Sequence, residues 1–428
     1  MPLKESSLWQ ETATISTTDP ARPLPERVDV AVVGGGYTGL SAARTLAQRG
    51  ARVAVLEAQT FGWGASSRNG GMVLTGLKLP VGTLMARYGQ ETSRRLFAAS
   101  LASIDCVERI VHEEGIDCDF ARCGHVELAC KPAHFTAFAR DAEVLAREFN
   151  HHVRVIPRSE LGSEIGSPRY YGGLVDAVSA GLNPARYVAG LLRAAKKAGA
   201  EMFDHAPVEQ FVRESGTFRV STPRGLLRAH ELFIATNGYT GTIAPALQKR
   251  VIPVGSYAIA TEPLPEALTR ELIPQNRMLF DSKNFLYYFR LTPDRRLLFG
   301  GRASFLPDST STVRASARIL RRGMVEVYPQ LRDAAVEHAW GGTLGFTFDM
   351  LPHAGRLHGV AFALGYGGHG VAMATYLGAR VAAALAGEAV ENPFAELPFP
   401  GAPFGLYHGT PWFLPLAGLW YRLLDWLT

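Results

Sequence analysis

An apolar run at residues 28–33 is the first clear structural signal in the chain. Four of its six residues are valine, which suits a parallel strand covered on both faces. Glycine-rich sequence follows at once, and the apolar pattern at residues 40–49 then predicts a helix. A second short apolar strand, residues 52–56, ends in Glu57. This order of strand, glycine turn, helix and strand is typical of a dinucleotide-binding unit.

The glycine turn contains Gly34, Gly36 and Gly39. The first glycine allows a tight bend, the second lets a pyrophosphate approach the backbone, and the third lets the helix pack closely on the strand. The amides and the dipole at the start of the helix favour phosphate. Glu57 comes about 20 residues beyond the turn, where an acid binds ribose hydroxyls and disfavours a 2′-phosphate. A glycine-rich turn in another kind of α/β protein is the alternative.

Three later segments are predicted to return to the same sheet, at residues 200–208, 232–238 and 360–364. The last of them is followed by the glycine turn at residues 365–370 and by a clean apolar helix at residues 371–385. This second turn again directs helix amides at a ligand. A Rossmann dehydrogenase needs no such turn near its C-terminus, so the two turns together favour FAD over NAD.

The pattern changes at residues 251–261 and 280–305, which are rich in β-branched and aromatic residues and are punctuated by turn residues. This predicts an antiparallel sheet. A strand at residues 122–130 and helices near residues 134–149 and 313–328 are predicted to accompany it. The fold class is therefore α/β, or α+β overall, with a Rossmann-like nucleotide-binding domain and an inserted antiparallel-sheet substrate domain.

Composition narrows the class of protein. The formal net charge of +5 is small for 428 residues and the charges do not form runs, so nucleic-acid binding is disfavoured. The four cysteines lie between residues 106 and 130 without the spacing of a metal site, and no metal is predicted. Residues 1–27 form a polar arm without a secretory signal, which favours a cytoplasmic location.

The C-terminal segment, residues 411–427, is rich in Leu and Trp but is too short and too charged to span a bilayer. Docking on the protein itself or on a partner is one interpretation. Peripheral contact with a membrane surface is the other.

Residues 34–39, Glu57 with Ala58, and residues 64–71 resemble the flavin-binding elements of FAD-dependent amine oxidoreductases related to D-amino acid and sarcosine oxidases. The likeness runs over nearly the whole chain. It implies an FAD-binding domain of residues 28–115, 151–243 and 341–392, and a substrate domain of residues 116–150 and 244–340. An N-terminal arm, 1–27, and a C-terminal extension with an apolar helix, 393–428, would complete the chain.

The resemblance also implies which residues bind FAD and which face the substrate. The second glycine turn would meet the pyrimidine edge of the flavin, where the helix dipole favours the reduced state. The implied cofactor-binding residues are Gly34, Gly36, Tyr37, Thr38, Gly39, Glu57, Ala58, Ala65, Ser66, Ser67, Arg68, Asn69, Gly70, Gly71, Met72, Val208, Thr236, Asn237, Gly238, Gly365, Tyr366, Gly367, Gly368, His369, Gly370 and Val371. The candidate catalytic residues are His369, Tyr257, Tyr288 and Arg290, with Arg302 as a second candidate for binding a substrate carboxylate.

The implied reaction is oxidation of the CH–NH bond of an amine or amino acid by hydride transfer to flavin N5, which yields an imine that water hydrolyses. A polyamine-derived or similar amine is the implied substrate. Some relatives hold the flavin through a cysteine, but residues 340–359 contain none, so non-covalent FAD is predicted. Relatives also carry an oxygen-activating lysine that residues 296–300 lack, which leaves oxygen and another electron acceptor as alternatives.

Two other functions remain open on the sequence alone. An NAD-dependent dehydrogenase is disfavoured by the second glycine turn and by the loop at residues 64–71. A non-catalytic or membrane-docked flavin electron-transfer protein is favoured only by the apolar tail.

Overall fold

The structure is a computed structural model that describes residues 3–301 and 310–427. Its helices are α1 Leu8–Glu11, α2 Tyr37–Gln48, α3 Val81–Tyr88, α4 Gln90–Glu113, α5 Pro132–Phe149, α6 Pro184–Lys197, α7 Pro245–Gln248, α8 Glu266–Leu272, α9 Thr310–Val327, α10 Gly370–Leu385 and α11 Leu414–Leu427. Its strands are β1 Arg27–Val33, β2 Val53–Leu56, β3 Met72–Val73, β4 His125–Leu128, β5 Arg154–Pro157, β6 Gly172–Asp176, β7 Ala180–Gly181, β8 Glu201–Phe203, β9 Gln210–Glu214, β10 Thr217–Thr222, β11 Gly225–Ile234, β12 Val251–Thr261, β13 Met278–Asp281, β14 Tyr287–Leu291, β15 Leu297–Gly301, β16 Val336–Thr347, β17 His353–Leu357 and β18 Val360–Leu364.

The first sheet has the order β17-β18-β11-β1-β2-β8. Strands β18, β11, β1, β2 and β8 are parallel, and β17 closes the edge as an antiparallel strand. Strands β9 and β10 form an antiparallel excursion from β11. The apolar run at residues 28–33 occupies the middle of this sheet, which explains why its valines are buried on both faces.

The second sheet has the order β16-β12-β15-β14-β13-β4-β6-β5. Its pairs are antiparallel except for β13 with β4. Helix α9 packs on one face of this sheet, where Leu320 and Met324 join the core formed by Ile259, Phe289 and Phe299. The structure thus confirms the predicted fold class of a doubly covered, mainly parallel sheet combined with an antiparallel sheet.

The strand pairing differs from the predicted division of the chain at two places. Strands β5 and β6 pair with β4 in the second sheet, although residues 151–243 were assigned to the nucleotide-binding part. The chain rejoins the first sheet only after α6, at β8. Strand β16 also crosses the boundary predicted between residues 340 and 341, since it runs without a break from Val336 to Thr347.

Helix α6 shows how a local signal sets an element. Asn183 caps the helix, and its side-chain oxygen accepts hydrogen bonds from the amides of Ala185 at 3.2 Å and Arg186 at 3.1 Å. Pro184 occupies the first turn, where its missing N–H costs nothing. An Asn-Pro pair is therefore a local signal for the start of this helix, which ends at Lys197.

The C-terminal helix α11 docks on the second sheet. The Asp425 carboxylate accepts hydrogen bonds from the backbone amide of Asn284 at 2.8 Å and from that of Phe285 at 3.1 Å. The opposite side of the helix exposes Leu416, Leu419, Trp420 and Leu423. Within residues 3–301 and 310–427, no helix is long and apolar enough to cross a membrane.

Candidate active site

The first glycine turn joins β1 to α2 and is closed by Glu57 at the end of β2. One Glu57 carboxylate oxygen accepts a hydrogen bond from the Gly35 amide at 2.7 Å, and the other accepts from Gln59 at 2.8 Å. Burial raises the pKa of Glu57 above its ordinary value, against the opposing effect of these amides. Ala58 lies next to it and is exposed. The acid therefore lies against the turn that sequence analysis paired it with.

Space around this turn explains why glycine is needed. A side chain at Gly39 would come within 1.9 Å of the Gly34 carbonyl oxygen, and one at Gly36 within 2.8 Å of Ser66 Oγ. Gly34 itself has a φ of 108°, which disfavours other residues. At the start of α2, the absence of side chains on these glycines therefore lets the turn backbone pack closely against its neighbours, including the loop that contains Ser66.

The loop at residues 61–71 packs on this turn. Ala65–Ser67 form a short 3-10 helix, and Ser66 Oγ accepts a hydrogen bond from the Tyr37 amide at 3.1 Å. Asn69 bridges the loop: its side-chain nitrogen donates to the Ala65 carbonyl at 3.0 Å and its oxygen accepts from the Gly71 amide at 2.8 Å. Met72 leaves the loop as the first residue of β3 and is buried. The predicted flavin-contacting loop is thus an ordered element of the site.

The N-terminal arm fastens the same loop from outside. The Trp9 indole donates to the Asn69 carbonyl oxygen at 2.9 Å, and the Ser7 hydroxyl donates to the Ser67 carbonyl oxygen at 3.0 Å. Trp9 is only 2% exposed. Leu8 and Trp9 are both buried and anchor the arm. Their connection to the loop was missed, because the contacts join residues about 60 positions apart.

Two further segments reach this region. Asn237, which follows β11, accepts a hydrogen bond from the Gly365 amide through its side-chain oxygen at 2.9 Å. Asn237 has a φ of 44°, and the neighbouring Gly238 lies against the Leu344 backbone. The Thr236 hydroxyl forms a hydrogen bond with that of Thr240 at 2.7 Å. These contacts join the third predicted cofactor segment to the second glycine turn.

Val208 belongs to the segment after β8 and is buried in the core under the first sheet, with Ala206 and Phe203. The Ala206 amide donates to the Glu57 carbonyl oxygen at 2.8 Å. This places the segment beside the end of β2.

The second glycine turn, residues 365–370, leads directly into α10. Tyr366 points back to α2, and its hydroxyl forms a hydrogen bond with that of Thr38 at 2.7 Å. Gly367 and Gly368 both have positive φ values, of 56° and 103°. Val371 is buried in the first turn of the helix. The tight turn brings His369 to the N-cap position of α10.

His369 is electrostatically unusual. Burial, with a smaller effect from Lys78, lowers its pKa to about 3, so that the imidazole is neutral at physiological pH. Its Nδ1 atom is buried without a hydrogen-bond partner in the described part of the chain. A buried polar atom of this kind normally has a partner, so the geometry fits a bound ligand at this position.

The two helix starts together fit a dinucleotide cofactor. Neither α2 nor α10 has a side-chain hydrogen bond at its N-cap among the described residues. Gly378 of α10 lies so close to Thr38 of α2 that a side chain there would be 2.3 Å from the Thr38 carbonyl oxygen. At 1.5 Å per residue, about 12 Å of helix separates Gly378 from the start of α10 at Gly370. The fold therefore offers two positive helix ends at separate points of one groove.

One face of the second sheet covers the loop at residues 61–71. The Trp340 indole donates to the Arg68 carbonyl oxygen at 2.8 Å, and the Arg68 guanidinium donates to the Gly341 carbonyl oxygen at 3.3 Å. A side chain at Gly70 would meet the ring of Tyr288 at 2.9 Å. On this face, which we call the loop face, one row of residues crosses from β6 to β16 in the order Leu174, Glu127, Phe280, Tyr288, Gly300, Ala258 and Trp340.

The candidate catalytic residues of this sheet take three different positions. Tyr288 lies on the loop face, and burial raises the pKa of its hydroxyl. Arg290 is buried, and its guanidinium donates to the carbonyl oxygens of Gly71 at 2.9 Å and Leu182 at 3.1 Å, so it braces the loop. Tyr257 is 2% exposed and belongs to the core on the opposite face, because neighbouring residues of a strand alternate. Arg302 lies outside the described residues.

Glu127 is a site residue that sequence reasoning missed. It projects from β4 on the loop face, since its neighbours Val126 and Leu128 belong to the opposite core. Burial raises its pKa to about 7; the charge of Asp141 raises the pKa further, and the charge of Lys78 lowers it. The alternating pattern at residues 122–130 could have singled it out, as an acid with apolar residues on both sides.

A family model described as FAD dependent oxidoreductase matches residues 29–384. Because this covers most of the chain, the protein belongs to this family, known as DAO, and is an FAD-dependent oxidoreductase. The resemblance and the FAD cofactor inferred from the two glycine turns are thereby confirmed.

Individual relatives extend the likeness over almost the whole chain. It is 33% identical over 430 residues to the probable oxidoreductase OrdL of Rhizobium meliloti (strain 1021), covering 99% of this chain and 98% of that protein. It is 32% identical over 400 residues to the gamma-glutamylputrescine oxidoreductase of Escherichia coli (strain K12), covering 93% and 92%. The motifs of the sequence also resemble gamma-glutamylputrescine oxidase, and this likeness is confirmed at that level of identity.

Among solved structures, glycine oxidase from Geobacillus kaustophilus has a TM-score of 0.71 at 22% identity, covering 88% of this chain and 100% of that one. At this identity the likeness shows the fold alone.

Proposed function

We propose that the protein oxidises the CH–NH bond of an amine substrate, with the substrate lying between the cofactor and the loop face of the second sheet. The observation that carries the proposal is the set of contacts that bring together both glycine turns, the loop at residues 61–71 and the row containing Tyr288. When bound, FAD supplies the hydride acceptor, at flavin N5. The product is an imine, which water hydrolyses to a carbonyl compound and ammonia or an amine.

The chain's own residues supply binding and orientation in this proposal. Backbone amides at the starts of α2 and α10 would hold the pyrophosphate and the pyrimidine edge of FAD, and Glu57 would bind the ribose. The neutral imidazole of His369 would lie beside the flavin as a hydrogen-bonding group, since its low pKa removes its charge. Tyr288 would cover the substrate from the loop face. Because its contacts place it in the opposite core, Tyr257 is left out of this set.

The substrate class follows from the relatives and from the position of Arg290. One relative is named gamma-glutamylputrescine oxidoreductase, which favours a polyamine-derived amine. The Arg290 guanidinium already donates to the Gly71 and Leu182 carbonyl oxygens, so it is poorly suited to act as the main anchor of a substrate carboxylate. An amine therefore fits the site better than a simple amino acid.

Anaerobic mixing of the purified protein with a panel of amines and amino acids tests the reaction. Loss of the oxidised flavin absorbance with amines, followed by recovery and peroxide formation on admitting air, is expected. Bleaching without peroxide would identify another acceptor in place of oxygen. No bleaching with any amine or amino acid would refute the proposed reaction.

We also propose that FAD is bound non-covalently. No cysteine occurs between residues 340 and 359, and burial raises the pKa of Cys118 and of Cys130 to about 12, which keeps these thiols unreactive. Acid precipitation should leave the yellow colour in the supernatant. Colour that remains with the precipitated protein would contradict this.

For the tail we propose a peripheral membrane contact, with self-association as the alternative. The exposed residues Leu416, Leu419, Trp420 and Leu423 recur at helical spacing on α11, and each is more than 40% exposed. Flotation with liposomes should require residues 411–428. Loss of a dimer, rather than loss of flotation, on removing these residues would favour self-association.

A further inference from the structure

Glu127 occupies an unusual place on the loop face of the second sheet. In the row described above it is separated from Tyr288 only by Phe280, so the two positions are about 10 Å apart at the usual strand spacing. On its other side lies Leu174, which packs under α5 with Phe138. Glu127 is therefore the acidic member of a row that is otherwise built from apolar residues, glycine and Tyr288.

The carboxyl group of Glu127 has no internal use that the fold reveals. Its side chain makes no hydrogen bond or ion pair with any residue in 3–301 or 310–427. It is nonetheless partly accessible rather than sealed in a core. An acid held against apolar surface without a partner is costly, so such a residue in a ligand groove is a candidate for binding a ligand.

The neighbours of Glu127 connect it to the second glycine turn. The charge of Lys78 acts on Glu127 and also on His369, so Lys78 lies near both. A side chain on Gly367 would come within 3.5 Å of Lys78 Cβ, which places Lys78 against this turn. Lys78 thus connects Glu127 to the start of α10, at the end of the row away from Trp340.

We propose that Glu127 is a specificity-determining residue that binds a second, positively charged nitrogen of the substrate, so that the protein selects diamines or their derivatives over monoamines and simple carboxylates. The inference rests on the proposed function. A carboxylate attracts an ammonium group and repels a carboxylate in a groove of low dielectric. The nitrogen beside the oxidised carbon must be neutral for hydride to leave, so the nitrogen held as a cation is the other one. A free diamine has such a second amino nitrogen, whereas an acylated diamine has one only where the acyl group carries an amino group of its own.

Equilibrium binding to the FAD-loaded enzyme, reduced with dithionite so that no turnover occurs, tests the proposal. Calorimetry would compare diamines of three to six carbons with monoamines of equal length. The variant is Glu127→Gln, which keeps the shape of the side chain. Its matched control is Glu143→Gln, on the exposed side of α5. Charge-assisted hydrogen bonds are strong enough that we expect Glu127→Gln to weaken the best diamine by about 10- to 100-fold.

Monoamine binding should change less than about threefold in Glu127→Gln, and Glu143→Gln should match the wild type for both ligands. In stopped-flow reduction of the oxidised enzyme, Glu127→Gln should have a higher half-saturation concentration for diamines than the wild type and a similar limiting rate. Equal weakening of diamines and monoamines, or an unchanged diamine affinity, would overturn the proposal. Glu127→Asp is the second variant, for the case that Glu127→Gln loses FAD or melts at a lower temperature. Because Glu127→Asp keeps the charge, it should retain the preference for diamines. Loss of that preference in Glu127→Asp would also overturn the proposal.

This experiment separates the inference from the reaction on which it rests. Glu127-dependent binding of a diamine that never bleaches the flavin would refute the proposed oxidation and leave the binding site standing. Bleaching by amines without any dependence on Glu127 would refute the binding site and leave the oxidation standing.

Discussion

Replacing Gly378 by alanine tests whether close packing of α10 on α2 holds the cofactor groove in shape. A Cβ atom at this position would be 2.3 Å from the Thr38 carbonyl oxygen and 3.1 Å from the Thr38 Cα. Both atoms are backbone, so the clash cannot be relieved by turning a side chain. The two helices must therefore separate by about 1 Å to reach ordinary contact distance.

The size of the effect follows from two opposing terms. Overpacking of a close contact costs about 1–3 kcal/mol, and a backbone clash belongs at the upper end. Alanine is better than glycine inside a helix by about 1 kcal/mol. The expected net loss of stability is therefore about 2 kcal/mol. The shift would also move the amides at the start of α2, so we expect FAD affinity to fall by about tenfold.

The control is Gly82→Ala in α3, a helical glycine with no atom within 4 Å of its added Cβ. It lacks the clash, so it should stabilise the protein by up to about 1 kcal/mol without changing FAD affinity. Thermal release of flavin, followed by its fluorescence, reports stability, and titration of the apoprotein with FAD reports affinity. If Gly378→Ala behaved like Gly82→Ala in both measurements, the packing argument would be refuted.

Three further predictions follow from contacts outside the groove. Trp9→Phe removes the hydrogen-bond donor to the Asn69 carbonyl oxygen. At about 1 kcal/mol per hydrogen bond, the affinity for FAD measured by titration should fall by about fivefold. Trp412→Phe, at an exposed position, should leave this affinity unchanged. Burial lowers the pKa of His125 to about 4 in the folded protein. As the pH falls, this histidine is therefore protonated in the unfolded chain before it is protonated in the folded one. The free energy of unfolding should decrease between pH values of about 6.5 and 4, by at most about 3 kcal/mol. His125→Asn should flatten that part of the denaturation profile, and an unaltered profile would contradict the assignment. Asp425→Asn should loosen α11, so limited proteolysis should cut the tail sooner; an unchanged rate would mean that its bonds to residues 284 and 285 do not hold the helix.

Much of the nucleotide-binding part could be predicted from sequence because its signals are local. The apolar run at residues 28–33 and the turn at residues 365–370 each combine an apolar period with glycines at fixed offsets. The Asn183 cap is likewise a contact over two or three residues. In each of these cases the residues that determine the local structure lie close together in the sequence. The structure of these segments can therefore be predicted from the sequence alone.

The loop face could not be predicted in the same way because it depends on pairing between distant strands. Alternation places Tyr257 and Tyr288 on a face of their strands, but it does not say which face meets the loop at residues 61–71. That is set by the pairing of β12 with β15 and of β15 with β14. The place of β5 and β6 in the second sheet depends in the same way on β4. The contact of Trp9 likewise could not be predicted, because its partner Asn69 lies in a loop 60 residues further along the chain.

The first sheet contributes mainly backbone and glycines to the proposed site, and the second sheet contributes side chains. This difference explains why the fold identifies the cofactor but not the substrate. The proposed FAD site is built from backbone and glycines, where a side chain would clash, as at Gly34, Gly36 and Gly39. The opposing wall is a row of side chains, in which a change alters shape or charge without disturbing a strand. At Gly300, a Cβ atom would be 2.1 Å from the Tyr288 ring, so this glycine lets the ring lie flat against β15. A larger residue there would lift Tyr288 into the groove, and a neutral residue in place of Glu127 would remove its charge. We therefore expect a few positions of this row to determine substrate choice, with little effect on the fold itself.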